Sequence, residues 1–140
     1  RARYDFAPEL GAWLWDLKTT GDASPEAFRK SFFDYGYDLQ AAHYVAVAQL
    51  AGLNYRAVAF AAVSKVGAHS VSLHKFGPMP ECDEDWRLAG RLVAQAWAGF
   101  AECRSSGVWA KPAYAPSVFV ASPWQRNARA ALLRDTEIPY

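Results

Sequence analysis

From Ala12 to Lys18 the chain reads Ala-Trp-Leu-Trp-Asp-Leu-Lys. As a strand, this puts Trp13, Trp15 and Leu17 on one face and Leu14, Asp16 and Lys18 on the other. Apolar bulk on both faces predicts a central strand with both sides of its sheet covered. A carboxylate and an ammonium two residues apart leave such a strand on the same face. Burying them is costly unless each is paired or serves a site. This segment therefore demands a sheet, a covering layer and a reason for its two charges.

The rest of the chain supplies the layers. Residues 1 to 6 alternate as a short strand, and Pro8 to Gly11 carries turn chemistry. Ser24-Pro25-Glu26 is a helix start, with Ser as N-cap, Pro at the first helical position and an acid in the first turn. The helix runs to about Asp34 and breaks near Gly36. A second helix spans Tyr37 to Ala51 and stops at Gly52. Tyr55 to Lys65 suits a buried strand, Gly67 a turn, and Ala68 to Phe76 another strand. A long helix from about Glu84 to Arg104 carries the stripe Trp86, Ala89, Val93, Trp97, Phe100 and Cys103 at helical spacing. The tail from Lys111 is Pro-punctuated and aromatic, with a short helix expected over Gln125 to Arg134. The order ββααββα predicts an α/β domain with a mixed, partly antiparallel sheet.

A length of 140 residues fits one domain, and 52% hydrophobic residues with 15% aromatics exclude a disordered or low-complexity chain. Fifteen basic residues against fourteen acidic ones give a net charge of +1, unlike a protein that coats nucleic acid. His43, Gln49, Asn54 and Arg56 interrupt the most apolar region, so no membrane span is expected. The opening Arg-Ala-Arg-Tyr-Asp has no signal-peptide character, and the only Met is Met79. The expectation is a piece of a longer polypeptide. Cys82 and Cys103 are too few and too far apart for a disulfide scaffold or a zinc motif, so a reducing cytoplasmic setting is expected.

Most catalytic patterns are missing: there is no Gly-rich phosphate loop, nucleophile elbow or His-Glu-x-x-His helix. His69 and His74, five apart on an expected strand, point to opposite faces. His43 lies among apolar helix neighbours, where a structural role is expected. One constellation remains. A hairpin folded about Pro8–Ala12 sets Asp5 opposite Asp16, roughly 5 Å apart at their Cα atoms. Two carboxylates on adjacent strands offer oxygen ligands for Mg²⁺ or Mn²⁺, with Lys18 beside them to hold a water. A cross-strand ion pair at a sheet edge accounts for the same residues without chemistry, and the spacing alone leaves both readings open.

Arg3-Tyr4-Asp5, then Asp16-Leu17-Lys18-Thr19-Thr20, then Tyr35-Gly36-Tyr37-Asp38-Leu39-Gln40-Ala41-Ala42-His43-Tyr44 resembles the PD-(D/E)XK nuclease superfamily. Among its RecB-type members the likeness is to the exodeoxyribonuclease VIII (RecE-like) branch, and it covers residues 1 to about 105. Asp-x-Lys-Thr-Thr followed about twenty residues later by Gln-x-x-x-Tyr is a fairly specific combination. The resemblance implies a restriction-endonuclease-like fold, with Asp5, Asp16 and the Leu17 carbonyl as metal ligands and Lys18 orienting the attacking water. Gln40 and Tyr44, four apart on one helix face, would border the active site and DNA. Arg3 shares the strand parity of Asp5 and is a candidate phosphate contact; a solvated arginine explains it equally.

The resemblance further implies a Mg²⁺-dependent exonuclease (Mn²⁺ as substitute) that resects the 5′ strand at linear double-stranded DNA ends. A single-strand annealing protein and a homo-oligomer are the implied partners. Iron–sulfur relatives need four cysteines, and this chain has two. Family members carry a helical part upstream of the first metal Asp, with a His or Glu near the site. The expectation is thus one nuclease domain over residues 1–140, lacking that helical part and ending in a Pro/aromatic tail at 111–140. The rival reading is a catalytically silent DNA-binding or assembly module derived from such a nuclease.

Overall fold

The computed structural model describes residues 2–9, 11–109 and 123–124. Six elements follow one another: β1 (Trp13–Thr20), α1 (Pro25–Asp34), α2 (Tyr37–Leu50), β2 (Ala57–Ser64), β3 (Val71–Phe76) and α3 (Asp83–Ser106). The sheet order is β1-β2-β3, with β1 parallel and β3 antiparallel to β2. The chain divides into two compact units, Arg1–Gly107 and Val108–Tyr140. All six elements belong to the first. In the second, the described residues are 108–109 and the helical pair Pro123-Trp124. The expected helix over Gln125–Arg134 lies outside the described residues, as does the 111–140 tail apart from that pair.

The first expected strand is replaced by a single antiparallel bridge. Phe6 and Trp15 exchange both backbone hydrogen bonds, at 3.1 and 2.8 Å, and among the described residues no ladder extends from them. The pairing register is the one expected from the hairpin, since Phe6 opposite Trp15 sets Asp5 opposite Asp16. The observed order is therefore βααββα plus a bridging segment. The expectation that β1 is central is also corrected: β2 is the middle strand and β1 flanks it. The reason lies in side-chain size. The strand Ala57–Ser64 is mostly Ala and Val, and Ala57, Val58, Ala59, Phe60 and Ala62 are all buried. In β1 only the face carrying Leu14 and Asp16 is buried, whereas Leu17 is 56% exposed. Val71 and Leu73 of β3 share that open face and are exposed as well.

Helix packing follows local sequence. Ser24 caps α1, its hydroxyl accepting from Ala27 N–H, with Pro25 in the first turn. Gly36 takes a left-handed conformation (φ 66°) that lets α2 start with only two residues between it and the end of α1. Along α2, Ala41, Ala42, Val45 and Ala48 are buried, small side chains that admit close neighbours on more than one side. The core is aromatic: Phe32 meets Phe60 and Phe76 edge-on, with centroids 5.2 and 5.1 Å away, and Phe76 meets Trp86 of α3 at 5.5 Å. On α3 the expected stripe is inward at Trp86, Ala89, Val93 and Trp97, while Phe100 is 58% exposed. Gly77 is required by contact, because a Cβ there would meet the Ala57 Cβ at 2.4 Å.

Candidate active site

Strand parity turns Asp16 and Lys18 toward the helical layer, where Asp16 is 4% and Lys18 16% exposed. Lys18 Nζ lies 2.5 Å from Asp16 Oδ2 as an ion pair. Gln40, in the first turn of α2, joins the two. Its Oε1 accepts from Lys18 Nζ at 2.9 Å, and its Nε2 donates to Asp16 Oδ1 at 3.3 Å and to the Tyr44 hydroxyl at 2.6 Å. The amide orientation is chemically dictated, since a flip would set an NH₂ against the ammonium and an oxygen against the carboxylate. Asp16, Lys18, Gln40 and Tyr44 thus form one continuous network.

Asp5 arrives by a different route. Its segment is held by Tyr4 edge-on to Tyr44 at 5.8 Å, by the Phe6–Trp15 bridge, and by the Tyr55 hydroxyl donating to Pro8 C=O at 2.5 Å. Asp5 itself is exposed, and its Oδ2 accepts from Leu17 N–H at 2.7 Å. Trp15 gives both its N–H and C=O to Phe6, so Leu17, two residues on, presents both of its groups to the same outer edge. The Leu17 carbonyl therefore faces the side from which Asp5 approaches.

Burial raises the Asp16 pKa above its ordinary value, Lys18 opposes this, and the Asp5 charge adds to the rise. Asp16 Oδ2 is buried, and among the described residues its partner is the Lys18 ammonium of the ion pair. A buried carboxylate oxygen met by the Lys18 ammonium alone among the described residues, a second carboxylate near enough to be felt and an outward carbonyl form an all-oxygen donor set. That set fits a hard divalent cation. No group of three or more His, Cys, Asp or Glu side chains clusters among the described residues. A cation here would keep open positions for water and phosphate, as Mg²⁺ prefers.

Of the residues singled out from sequence, Asp16, Lys18 and Gln40 are in mutual contact, Tyr44 joins them through Gln40, and Asp5 and Leu17 meet along the strand edge. Arg3 is exposed and makes no ion pair among the described residues. Tyr37 was not assigned a role by sequence, yet its ring centroid lies 4.4 Å from Lys18 Nζ, a cation–π contact. Its spacing of three from Gln40 on α2 was the available signal. His43 is structural, its Nδ1 accepting from Trp97 Nε1 at 3.1 Å. His69 is not on a strand but in a left-handed turn (φ 52°), while His74 sits on β3 stacked on Phe28 at 4.6 Å.

No helix among the described residues is long and apolar enough to cross a membrane. A comparison with curated proteins returns no match. A family model described as a PDDEXK-like domain of unknown function (DUF3799) matches residues 1–113. That span holds the bridge, β1 and α2, and with them every residue of the network. The chain belongs to this PDDEXK-like family, which places it within the PD-(D/E)XK superfamily.

Proposed function

We propose that the chain is a metal-dependent deoxyribonuclease that hydrolyses phosphodiester bonds at linear double-stranded DNA ends, resecting the 5′ strand. The observation that carries this reading is the Gln40 amide, which holds Lys18 and Asp16 together on one face beside Asp5. An ion pair serving the fold alone has no need of a third residue that fixes both partners.

Asp5, Asp16 and the Leu17 carbonyl would hold Mg²⁺, or Mn²⁺ in its place. A bound divalent cation supplies charge neutralisation at the scissile phosphate and lowers the pKa of water. Lys18, steadied by Gln40 and the Tyr37 ring, holds the attacking water in line with the phosphorus–oxygen bond that breaks. Tyr44 fixes the Gln40 amide, so both act through Lys18 and Asp16 and are positioning residues. Arg3 is free to meet a neighbouring phosphate. A single-strand annealing protein as recipient of the 3′ overhang, and assembly into a homo-oligomer, belong to the same proposal.

The test is digestion of end-labelled linear duplex beside a covalently closed circle, with Mg²⁺, with Ca²⁺ and with chelator. Loss of the linear form alone, in Mg²⁺ only, is the expected result. Ca²⁺ accepts the same oxygens at longer distances and looser geometry, so it should support binding without hydrolysis. DNA binding without cutting under every condition would favour the silent module instead.

A further inference from the structure

A polar cavity of about 270 Å³ lies beside the site, and among the described residues no carboxylate lines it. Its wall includes Thr20 at the end of β1, Ser31 on α1, Tyr35 and Tyr37 at the α1–α2 junction, and Lys65 just past β2. The parallel strands β1 and β2 both end here, the place where ligands enter open α/β sheets. Tyr37 connects the cavity to the catalytic network, since its ring also carries the Lys18 contact at 4.4 Å. The ring is itself fixed, stacked at 6.2 Å on Phe28 and at 6.1 Å on Phe60.

The rim is preformed. Thr20 Oγ1 donates to Asp22 C=O at 3.0 Å, and the buried Ser64 hydroxyl lies 3.1 Å from Gly21 C=O. Within that frame the Ser31 hydroxyl and the Lys65 ammonium are unspent. The Ser31 hydroxyl has no hydrogen-bond partner, and Lys65 no ion pair, among the described residues. Tyr35 is 71% exposed, with its ring 5.8 Å from that of Tyr37. A cation and a hydroxyl without competing acids suit an anion, and an exposed ring beside them suits a planar π-face. Together these are the chemistry of a nucleotide.

We infer that this cavity seats the nucleotide next to the scissile phosphate, with Lys65 and Ser31 on its phosphate and Tyr35 under its base. The inference rests on the nuclease reading for the identity of the strand that enters. It implies that the strand reaches Lys18 unpaired, because a base stacked on Tyr35 has left its duplex.

The probe is a fluorescein-labelled linear duplex with a short single-stranded 5′ overhang. Its binding is followed by anisotropy across a salt series, in the Asp16→Asn protein with chelator so that no strand is cut. Lys65→Gln should weaken binding roughly tenfold at low salt and flatten the salt dependence by about one counterion. Tyr35→Ala should weaken it to a similar extent with the slope unchanged, as loss of stacking does. Lys30→Gln, an exposed α1 charge outside the cavity, should change neither. Parental affinity in both Lys65→Gln and Tyr35→Ala, or an equal slope change in Lys30→Gln, would overturn the seat whatever the cleavage assay shows. An unaltered wild-type chain that leaves linear duplex uncut in Mg²⁺, while binding in the Asp16→Asn series still depends on Lys65 and Tyr35, would remove the nuclease reading and retain the nucleotide seat.

Discussion

The two carboxylates of the candidate site are held by different kinds of structure. Asp16 sits on a strand paired along its whole length to β2, is 4% exposed, and is bound to Lys18 and Gln40. Asp5 sits on a segment with one β-bridge, is exposed, and depends on contacts from Tyr4, Phe6 and Pro8. The first half of the site is as stable as the sheet. The second opens whenever its few tethers open, a local event that costs far less than global unfolding. On the proposed nuclease reading, such a site would keep Lys18 fixed beside the attacking water and let cation affinity depend on a peripheral segment.

The largest expected effects fall on the buried half. Lys18→Ala and Asp16→Asn should each lower the cleavage rate at least a hundredfold, about 2.7 kcal/mol or more of transition-state stabilisation. Extra Mg²⁺ should not restore it. The melting temperature of Asp16→Asn should not fall, because burial already disfavours the charged carboxylate that Asn replaces. Near-normal cleavage by Lys18→Ala would sink the assignment.

Asp5→Asn separates the halves. The amide oxygen can still accept from Leu17 N–H, so the position is kept while the charge is lost. Cleavage should fall roughly tenfold to a hundredfold at low Mg²⁺ and recover in part at high Mg²⁺. If the loss is as deep and as insensitive to Mg²⁺ as in Asp16→Asn, the distinction drawn here is wrong.

Gln40→Ala should slow cleavage by about tenfold while costing about 1 kcal/mol or less of stability, since its hydrogen bonds serve Lys18, Asp16 and Tyr44. Kinetics beside a melting curve will decide, and unchanged kinetics would return Gln40 to a purely structural part.

Tyr55→Phe tests the tethered half from a distance. It removes the hydroxyl that donates to Pro8 C=O, worth about 1 kcal/mol. The expected outcome is faster hydrogen exchange in residues 4–8, and a severalfold rise in the Mg²⁺ concentration needed for cleavage, with the maximal rate little changed. Equal exchange in both proteins would show that the tether is redundant.

The smallest effect should come from His74, which the sheet register sets two strands from Asp16 across Phe60. Burial lowers its pKa below 6.5. Near neutral pH both folded and unfolded chains hold the neutral ring, so its contribution is fully present. As pH falls from about 6.5 toward the lower folded value, the unfolded chain takes up the proton first and stability declines. Denaturant midpoints for wild type and His74→Phe, compared across that range, should diverge in slope; parallel curves would remove His74 as the cause.

Much of this arrangement was legible before any coordinates. Strand periodicity alone determines that Asp16 and Lys18 share a face, and helix periodicity that Gln40 and Tyr44 do. Ser24-Pro25 and Gly36 mark helix ends by local backbone chemistry, which needs no distant partner. The Phe6–Trp15 register likewise follows from the turn between them.

What required the tertiary structure is everything set by contacts between segments far apart in the chain. Apolar residues on both faces of β1 read as a central strand, but the small side chains of β2 let that strand take the middle, leaving one face of β1 open. Alternation in residues 1–6 read as a strand. Strand length, however, depends on how many hydrogen bonds a partner edge accepts, and here it is one bridge. The Gln40 amide between Lys18 and Asp16, and the Tyr37 ring shared by Lys18 and the polar cavity, join β1 to α2 across a gap of about twenty residues. Sequence periodicity determines which side of an element a residue occupies. Only packing decides which other element meets that side, because that choice depends on side-chain volumes summed over the whole core.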